Sequence, residues 1–189
     1  MLKELAKKVE LRKRVLENIR ENESILKALK IVEIAIKQGN KVLAFGNGGS
    51  ATQASHFAAE LVNKFYLARQ GMPAIALSAD TAMVTSIAND FGFKHIFSKQ
   101  VEALGKDGDI ALGISTSGKS PNVIEAFKTA GKLKIRTIAL SGSHTEILAG
   151  LGIDHIVSIN SADTPIVQEM HLFILHFIAE MLEKRFFGK

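Results

Sequence analysis

Apolar residues recur every three or four positions through residues 1–38, and this spacing predicts two amphipathic helices at the start of the chain. Ser24 is the expected N-cap of the second helix, because a serine hydroxyl accepts hydrogen bonds from the unpaired N–H groups of a first helical turn. The apolar positions of the two helices are Leu2, Leu5, Val9 and Leu16, and then Ile25, Leu26, Leu29, Val32 and Ile36.

After Gly39 the pattern changes to short apolar runs that end in polar turns. The runs are "KVLAFG", "AIALS", "DIALGIS", "TIALSG" and "HIVSIN". Their content of Ile, Val, Leu and Ala predicts strands that are covered on both faces. Because the runs alternate with helical stretches, we predict an α/β fold with a doubly wound, five-stranded parallel sheet flanked by helices. In such sheets, ligands bind beyond the carboxyl ends of the strands.

The last apolar segment, residues 165–187, predicts a long C-terminal helix. This helix and the two leading helices are more apolar than one domain of this length requires, so they fit either subunit packing or burial within one subunit. The chain has 189 residues, enough for one substantial core. We expect a single domain over residues 1–189, in which residues 1–38 serve as a helical oligomerisation segment.

The composition, 47% apolar and 23% charged, is that of a compact globular protein. The segment "MHLFILHFIAEML" is interrupted by His176 and Glu180, and it falls short of the roughly 20 apolar residues of a membrane span. We therefore expect no membrane association. The first residues lack the apolar core of a secretory signal, and the chain contains no cysteine. Both features predict a cytoplasmic protein without disulfides.

The formal net charge is +5. The lysines are scattered over predicted helix faces and are not interleaved with aromatic residues, so we expect no nucleic-acid partner. A positive field of this kind would also steer a small anionic substrate towards the protein.

A glycine-rich turn follows the first predicted strand. Asn47, Gly48 and Gly49 precede a helix that is expected to open at about Ala51. Glycines allow a ligand to approach the backbone, and the first turn of a helix offers unpaired N–H groups. The spacing is not that of a dinucleotide-binding turn, because Ala51 stands where the third glycine would be. A turn that only joins a strand to a helix is the alternative interpretation.

A second polar turn, "STSGKSPN", follows the third predicted strand. Pro121 suits the first position of a helix, so the preceding hydroxyls lie at a helix N-terminus. Hydroxyl groups, free N–H groups and the positive end of a helix together predict a phosphate-binding loop. A plain capped turn is the alternative. The polar residues and the glycine of this loop are Ser115, Thr116, Ser117, Gly118, Lys119 and Ser120.

The same stretch, "GISTSGKS", matches the pattern of a nucleoside triphosphate loop, and we interpret that match as accidental. Gly113 falls inside the predicted strand, and Pro121 removes an N–H where phosphate-binding amides are needed. The only rival candidate for a magnesium-binding aspartate is Asp80, after "AIALSA".

His56 and Glu60 are four residues apart on the first helix after the glycine turn, and therefore share one face. An imidazole and a carboxylate without cysteine suit zinc or a similar divalent ion, and the carboxylate could also act as a base. A surface His/Glu pair without function is the alternative.

The C-terminal helix carries Gln168, His171 and His176 on an otherwise apolar segment. His176 lies between Leu175 and Phe177, so we expect it to be largely buried, which is typical of a hydrogen-bonded core histidine. Gln168 and His176 are about 12 Å apart along a helix axis, so they could bind one ligand only from its two sides or from different subunits.

Four segments, "GNGGSATQASHFAAEL", "IANDFGF", "GISTSGKS" and "IVQEMHLFILH", resemble the phosphoheptose isomerases of the sugar isomerase (SIS) fold in order and spacing. The resemblance covers essentially the whole chain. It implies an aldose–ketose isomerase that converts sedoheptulose 7-phosphate to D-glycero-D-manno-heptose 7-phosphate through an enediol. This reaction begins ADP- or GDP-heptose biosynthesis, which supplies cell-envelope polysaccharide such as lipopolysaccharide.

The resemblance also implies roles for individual residues. Catalysis is assigned to Glu60 and His176, and one zinc ion per subunit to His56, Glu60, Gln168 and His176. The family forms homotetramers with active sites at subunit interfaces. The implied substrate-binding residues are Asn47, Gly48, Gly49, Glu60, Asn89, Asp90, Ser115, Thr116, Ser117, Ser120 and Gln168.

The chain departs from the family pattern at two positions, because Gln53 stands where relatives usually have aspartate and Ile166 where many have arginine. These changes affect contacts with sugar hydroxyls and subunit pairing, not the implied reaction. Two kinds of binding protein share the fold: non-catalytic partners of the replication initiator, and sugar-phosphate sensors joined to DNA-binding domains. The presence of both Glu60 and His176 favours the isomerase, and we expect no helix-turn-helix domain within these 189 residues.

Overall fold

Five parallel strands form one sheet with helices on both faces, as the sequence predicts. The computed structural model describes residues 1–188. The helices are α1 (Leu2–Arg20), α2 (Glu23–Lys37), α3 (Gly49–Val62), α4 (Thr81–Phe91), α5 (Ser98–Leu104), α6 (Pro121–Lys132), α7 (Glu146–Gly150) and α8 (Thr164–Phe187), with one 3-10 turn at Phe93–His95. The strands are β1 (Val42–Gly46), β2 (Ala74–Ala76), β3 (Ile110–Ser115), β4 (Arg136–Ser141) and β5 (His155–Ser158).

The strand order is β2-β1-β3-β4-β5, and every neighbouring pair is parallel. The chain runs outward from β1 to β2 and then returns to β3 on the other side of β1. The direction of winding therefore reverses between β1 and β3, and the loops after these two strands diverge to opposite faces of the sheet. Ligands bind at such a reversal in doubly wound sheets. The glycine turn after β1 and the polar turn "STSGKSPN" after β3, called here the hydroxyl-rich loop, both lie at this reversal.

Alternate residues of the central strands belong to different halves of the core, because side chains alternate across a strand. Val42 and Ala44 of β1 pack with α2, α3 and α8 on one face. Leu43 and Phe45 pack with α5 and α6 on the other face. The continuous apolar runs in the sequence thus reflect two cores, one on each face of the sheet.

The prediction that every strand is covered on both faces is correct for the middle of the sheet and wrong at its edges. All residues of β1 and β3 are buried. In β2 none is fully buried, and 36% of Ile75 is exposed. β2 has three residues and a single neighbouring strand, so the helices cover it incompletely.

The prediction that Ser24 caps α2 was wrong. The N-cap is Asn22, whose side-chain oxygen accepts hydrogen bonds from the N–H of Ser24 at 3.1 Å and from its hydroxyl at 2.5 Å. The helix begins at Glu23, so Ser24 already lies in the first turn and donates to the cap instead of providing it.

The apolar stripe of α1 is exposed in this chain. Only Val15 and Ile19 of this helix are buried. Leu2, Leu5 and Val9 are 83%, 61% and 44% exposed. Within residues 1–188, no other apolar side chains bury this stripe. In contrast, the stripe of α2 packs Ile25, Leu29 and Val32 into the core, and the two leading helices differ in this respect.

Within residues 1–188, α8 is the one helix long and apolar enough to span a membrane by length and composition. Half of its most apolar window is buried inside the protein. Ile174, Leu175 and Ile178 belong to the core between the sheet and α2. The apolar character of α8 is therefore that of a core helix.

Gly113 in β3 is required by packing. A Cβ at this position would overlap Phe127 and would lie 2.9 Å from Cε2 of Phe45. We expect Gly113→Ala to lower the free energy of unfolding by about 1–3 kcal/mol, the usual cost of overpacking. Urea denaturation measures this change.

Gly131→Ala is the matched control, since Gly131 lies within α6 and a Cβ there would meet nothing within 4 Å. It should stabilise the protein by about 0.5–1 kcal/mol, because alanine favours helices more than glycine. Equal effects of the two substitutions would contradict the packing explanation.

Candidate active site and metal centre

Three side chains from α3 and α8 converge at one point. Oε1 of Glu60 lies 3.0 Å from Nε2 of His56 and 3.5 Å from Nε2 of His176. The two imidazole Nε2 atoms are 2.9 Å apart. The candidate ligand atoms of all three residues lie within 4.8 Å of one another. We call these three residues the His/Glu cluster.

The cluster follows from the helical spacing and from the packing of two helices that are distant in sequence. His56 and Glu60 lie one turn apart on α3 and project from the same face. That face packs against α8, which brings His176 alongside. One turn earlier, the side-chain amide of Gln53 donates to the carbonyl of Gln168 at 2.6 Å, which fixes the alignment of the two helices.

The donor atoms of the cluster fit a divalent metal ion. At most one hydrogen can lie between the two Nε2 atoms, and the carboxylate is an acceptor, so several lone pairs face a common centre. Nitrogen and oxygen ligands in this number suit zinc and similar ions. Oε2 of Glu60 is buried and has no hydrogen-bond partner within the described chain, so it has an acceptor position free for a ligand.

His176 is more accessible than the sequence indicated. Its side chain is 38% exposed, so the prediction of a largely buried residue was wrong. Its neighbours Leu175 and Ile178 face the core, whereas His176 faces α3 and the cluster. The side chain of His56 is 50% exposed, so the cluster has an open side through which a ligand can enter.

His171 is the buried histidine of α8. It is fully buried, and its Nε2 lies 3.2 Å from the backbone carbonyl of Ser141. Burial lowers the pKa of His171 to about 4, although the hydrogen bond to this carbonyl opposes the shift. Because a carbonyl only accepts, the ring donates from Nε2 and is neutral at pH 7.

Gln168 lies apart from the His/Glu cluster of its own chain. Its side-chain amide covers Gly49, where a Cβ would come within 2.7 Å of Nε2. Gln168 and His176 are two turns apart on α8, which corresponds to about 12 Å. The structure therefore groups three of the four implied metal ligands and puts the fourth beside the glycine turn.

The two positions that depart from the family pattern are both buried. Gln53 is 8% exposed and bonds to the backbone of Gln168. Ile166, in the first turn of α8, is fully buried in the core.

The glycine turn is joined to the loop before α6 by a pair of amides. Asn47 and Asn122 exchange two side-chain hydrogen bonds, each 2.8 Å long. Gly48 has φ +53, a conformation that favours glycine, and α3 begins directly afterwards at Gly49 instead of near Ala51. The sequence analysis missed Asn122. Its position after a helix-initiating proline, at the winding reversal of the sheet, was the available signal.

The loop before α6 presents its hydroxyls at an uncapped helix N-terminus. Pro121 occupies the start of the helix as predicted, and Ser120 makes no side-chain capping bond. Its hydroxyl lies 3.1 Å from that of Ser115, and Ser117 accepts from the N–H of Lys119 at 3.2 Å. Pro121 has no N–H, and the N–H of Val123 donates to Oδ1 of Asn122 at 3.0 Å. The N–H of Asn122, the loop hydroxyls and the positive end of the helix are the groups suited to an anion.

Asn89 and Asp90 lie at the end of α4, a helix without buried residues. The amide of Asn89 donates to the carboxylate of Asp90 at 2.8 Å. Both side chains are exposed, and within residues 1–188 neither bonds to the His/Glu cluster. One chain therefore joins the two loops through Asn47 and Asn122 and forms the His/Glu cluster further along α3, while Asn89 and Asp90 bond to each other.

Comparison with known proteins agrees with this architecture. The SIS domain family model matches residues 6–142. A phosphoheptose isomerase of Geotalea daltonii is 43% identical, with 100% of this chain and 99% of the relative covered. One of Thermodesulfovibrio yellowstonii is 48% identical, with 87% and 82% covered. The solved phosphoheptose isomerase of Francisella tularensis has a TM-score of 0.92 at 34% identity, with 97% and 98% covered.

The doubly wound sheet and the polar loops at its winding reversal define a SIS domain. The chain belongs to the SIS domain family, within its phosphoheptose isomerase branch. The resemblance read from the sequence motifs is thereby confirmed. The Vibrio vulnificus NanR protein complexed with ManNAc-6P matches with a TM-score of 0.65 at 15% identity, which is a likeness of fold alone.

His171 makes the stability of the protein depend on pH. The unfolded histidine, with its ordinary pKa of 6.5, takes up a proton as the pH falls, whereas the folded residue resists protonation until about pH 4. The stability that the neutral, buried His171 contributes is fully present above pH 6.5 and is lost as the pH falls from 6.5 to 4. Between pH 7 and pH 5, we expect the free energy of unfolding of the wild type to fall by about 2 kcal/mol more than that of His171→Gln.

Urea denaturation of both proteins at one fixed protein concentration measures the difference. An identical pH dependence of the two proteins would contradict a neutral, buried His171.

Proposed function

We propose that this protein is an aldose–ketose isomerase that converts sedoheptulose 7-phosphate to D-glycero-D-manno-heptose 7-phosphate. The observation that carries the proposal is the convergence of Glu60 and His56, on a helix that starts at the glycine turn, with His176 of α8. The names of its relatives, phosphoheptose isomerases at 43% and 48% identity, support this substrate class. The reaction moves a proton between C1 and C2 through an enediol.

The hydroxyl-rich loop before α6 would hold the phosphate at C7. Ser115 and Ser120 share one hydrogen bond, so both hydroxyls can turn towards a ligand. The N-terminus of α6 adds backbone donors and a partial positive charge. Binding energy at this distant group fixes the reacting carbons against the His/Glu cluster.

The carbon-bound proton is assigned to Glu60. An enediol reaction needs a base at carbon and an acid at oxygen. Oε1 of Glu60 faces both imidazoles, while Oε2 is unpaired within the described residues. One carboxylate can therefore contribute a ligand atom through one oxygen and move the proton through the other, provided that the carboxylate rotates to bring the buried Oε2 towards the open side of the cluster. We assign proton transfer at the substrate oxygen to His176, which borders the same carboxylate.

We propose zinc as the metal, held by His56, Glu60 and His176. When bound, a zinc ion supplies positive charge that stabilises the oxygen of the enediolate. Gln168 is proposed as the fourth ligand. Since Gln168 lies two turns from the cluster of its own chain, this role requires either a movement of the residue or its supply from a neighbouring subunit.

A homotetramer with active sites at subunit interfaces is the proposed assembly. The exposed stripe of α1 and the absence of buried residues in α4 support it, since both helices present apolar side chains outward. An open groove of about 480 Å³ between α1, α2 and α8 adds Leu26, Phe173 and Phe177 to the apolar surface. Residues 1–38 would then act as the oligomerisation segment of a single domain, in a cytoplasmic enzyme.

Glu60→Gln tests the proposed chemistry directly. The variant retains the size of the side chain and loses the carboxylate, so we expect turnover of sedoheptulose 7-phosphate to fall by about 10²–10⁴-fold or more. The assay follows the aldoheptose phosphate, with the protein first stripped by a chelator and then reloaded with zinc.

Glu180→Gln is the matched control on α8, where Glu180 pairs with Lys184 outside the cluster, and its turnover should match the wild type. Absence of turnover in folded, zinc-loaded wild-type protein would reject sedoheptulose 7-phosphate as the substrate.

Removal of the loop hydroxyls tests the phosphate site. We expect the double variant Ser115→Ala, Ser120→Ala to raise KM about tenfold or more, because a hydrogen bond to a charged group contributes roughly 1.5–3 kcal/mol. Steady-state kinetics measures KM and kcat separately. Ser158→Ala, at the exposed end of β5, is the control. An unchanged KM in the double variant would place the phosphate elsewhere.

A further inference from the structure

A buried ion pair lies where α8 passes the end of α3. Nε of Arg69 donates to Oε1 of Glu183 at 3.0 Å, and the two side chains are 1% and 2% exposed. The Glu183 carboxylate also accepts from three successive backbone N–H groups, those of Phe65, Tyr66 and Leu67, at 2.8, 2.7 and 2.9 Å. Glu183 therefore fixes the segment that leaves α3.

Arg69 connects this carboxylate to the backbone of the site. Nη2 of Arg69 donates to the carbonyl of Glu60 at 2.8 Å, and Nη1 donates to the carbonyls of Leu61 at 2.8 Å and Gln70 at 3.0 Å. The carbonyls in the last turn of a helix have no partner within the helix. A cation at this end also interacts favourably with the helix dipole. The guanidinium thus bonds to the last turn of α3, which ends at Val62, and one of its bonds is to the backbone of the residue that supplies the site carboxylate.

Glu183 and His176 lie on the same face of α8, because seven residues correspond to two helical turns, or about 10 Å. The ion pair consequently joins the helix that carries His176 to the backbone of Glu60. We propose that Glu183 and Arg69 are positioning residues that hold Glu60 and His56 at the distance from His176 that metal binding and proton transfer require. The catalytic part of this inference rests on the isomerase function proposed above.

Stability alone does not explain this arrangement. Burial of an ion pair costs solvation energy, and replacement of such pairs by apolar side chains is often neutral or stabilising. The pair instead fixes the position of the groups it joins. A planar guanidinium bonded to three carbonyls and one carboxylate leaves these partners little freedom to rotate or shift relative to one another. Burial raises the pKa of Glu183, but the hydrogen bonds from Phe65, Tyr66, Leu67 and Arg69 lower it to about 2.

Glu183→Gln is the informative variant, because a glutamine would turn its NH₂ group towards N–H donors of the loop and leave Arg69 without its counter-ion. We expect the zinc dissociation constant of the full-length protein to rise about 10–100-fold, the usual effect of removing a group that orients metal ligands. Competition with a chromogenic chelator measures this constant without reference to activity. In turnover, kcat should fall while KM changes by less than about threefold.

Glu33→Gln is the matched control. Glu33 is also a buried carboxylate, 4% exposed, whose partners Lys30, Lys37 and Arg185 are all cationic. Arg185 belongs to α8, but within residues 1–188 no hydrogen bond or ion pair joins these four residues to the segment after α3. Glu33→Gln should lower the free energy of unfolding without changing zinc affinity.

Equal zinc affinities of the Glu183→Gln and Glu33→Gln variants would overturn the proposal, as would a wild-type protein that binds no zinc. If Glu183→Gln does not fold, Arg69→Lys decides by the same comparison, because lysine retains the charge but cannot bond to the carbonyls of Glu60 and Leu61 together. A zinc-binding wild type without turnover would reject the isomerase function alone, and the zinc affinities would still test the positioning role.

Discussion

The alignment of α3 with α8 is the constraint on which the site depends. The two helices are separated by more than a hundred residues of sequence, yet His56 and Glu60 meet His176 within hydrogen-bonding distance. A shift of one helix by a single turn would move its donor atoms by about 5 Å and separate the three side chains. The sheet provides the support that makes such precision possible, because both helices pack on the same face of β1 and β3.

This alignment is fixed at several levels along the helices. Near the glycine turn, Gln53 bonds to the backbone of Gln168, and the Gln168 amide rests on Gly49. Beyond the cluster, Glu183 and Arg69 hold the end of α3. The His/Glu cluster therefore lies between two fixed ends, and it can maintain its geometry while partly exposed.

Local features of both fold and site could be predicted from the sequence. The strands and helices were predicted because apolar periodicity directly reflects which faces are buried. His56 and Glu60 could be paired because helical geometry alone puts them together. His176 joined them only through the family resemblance, since spacing within one helix says nothing of contacts with another. The expectation that it is buried failed because its neighbours, and not the histidine itself, face the core.

Other features depend on contacts that no local pattern encodes. Asn22 takes the capping role expected of Ser24 because the helix starts two residues earlier than that cap would place it. Asn122 and the ion pair of Arg69 with Glu183 each join segments far apart in sequence, and a lone asparagine, arginine or glutamate resembles any surface residue. The resemblance to a triphosphate loop misleads for the same reason, because Gly113 in β3 is required by the close packing of Phe45 and Phe127 and not by a ligand.

The amide pair between Asn47 and Asn122 joins the glycine turn to the loop before α6 through uncharged groups. Neither side chain ionises, so their hydrogen bonds respond little to ionic strength or to acidity. The loops can thus keep their mutual arrangement in solutions that weaken ionic contacts elsewhere. A charged substrate would then meet a preformed surface whose shape is set by neutral groups, while its own charge remains free to direct binding.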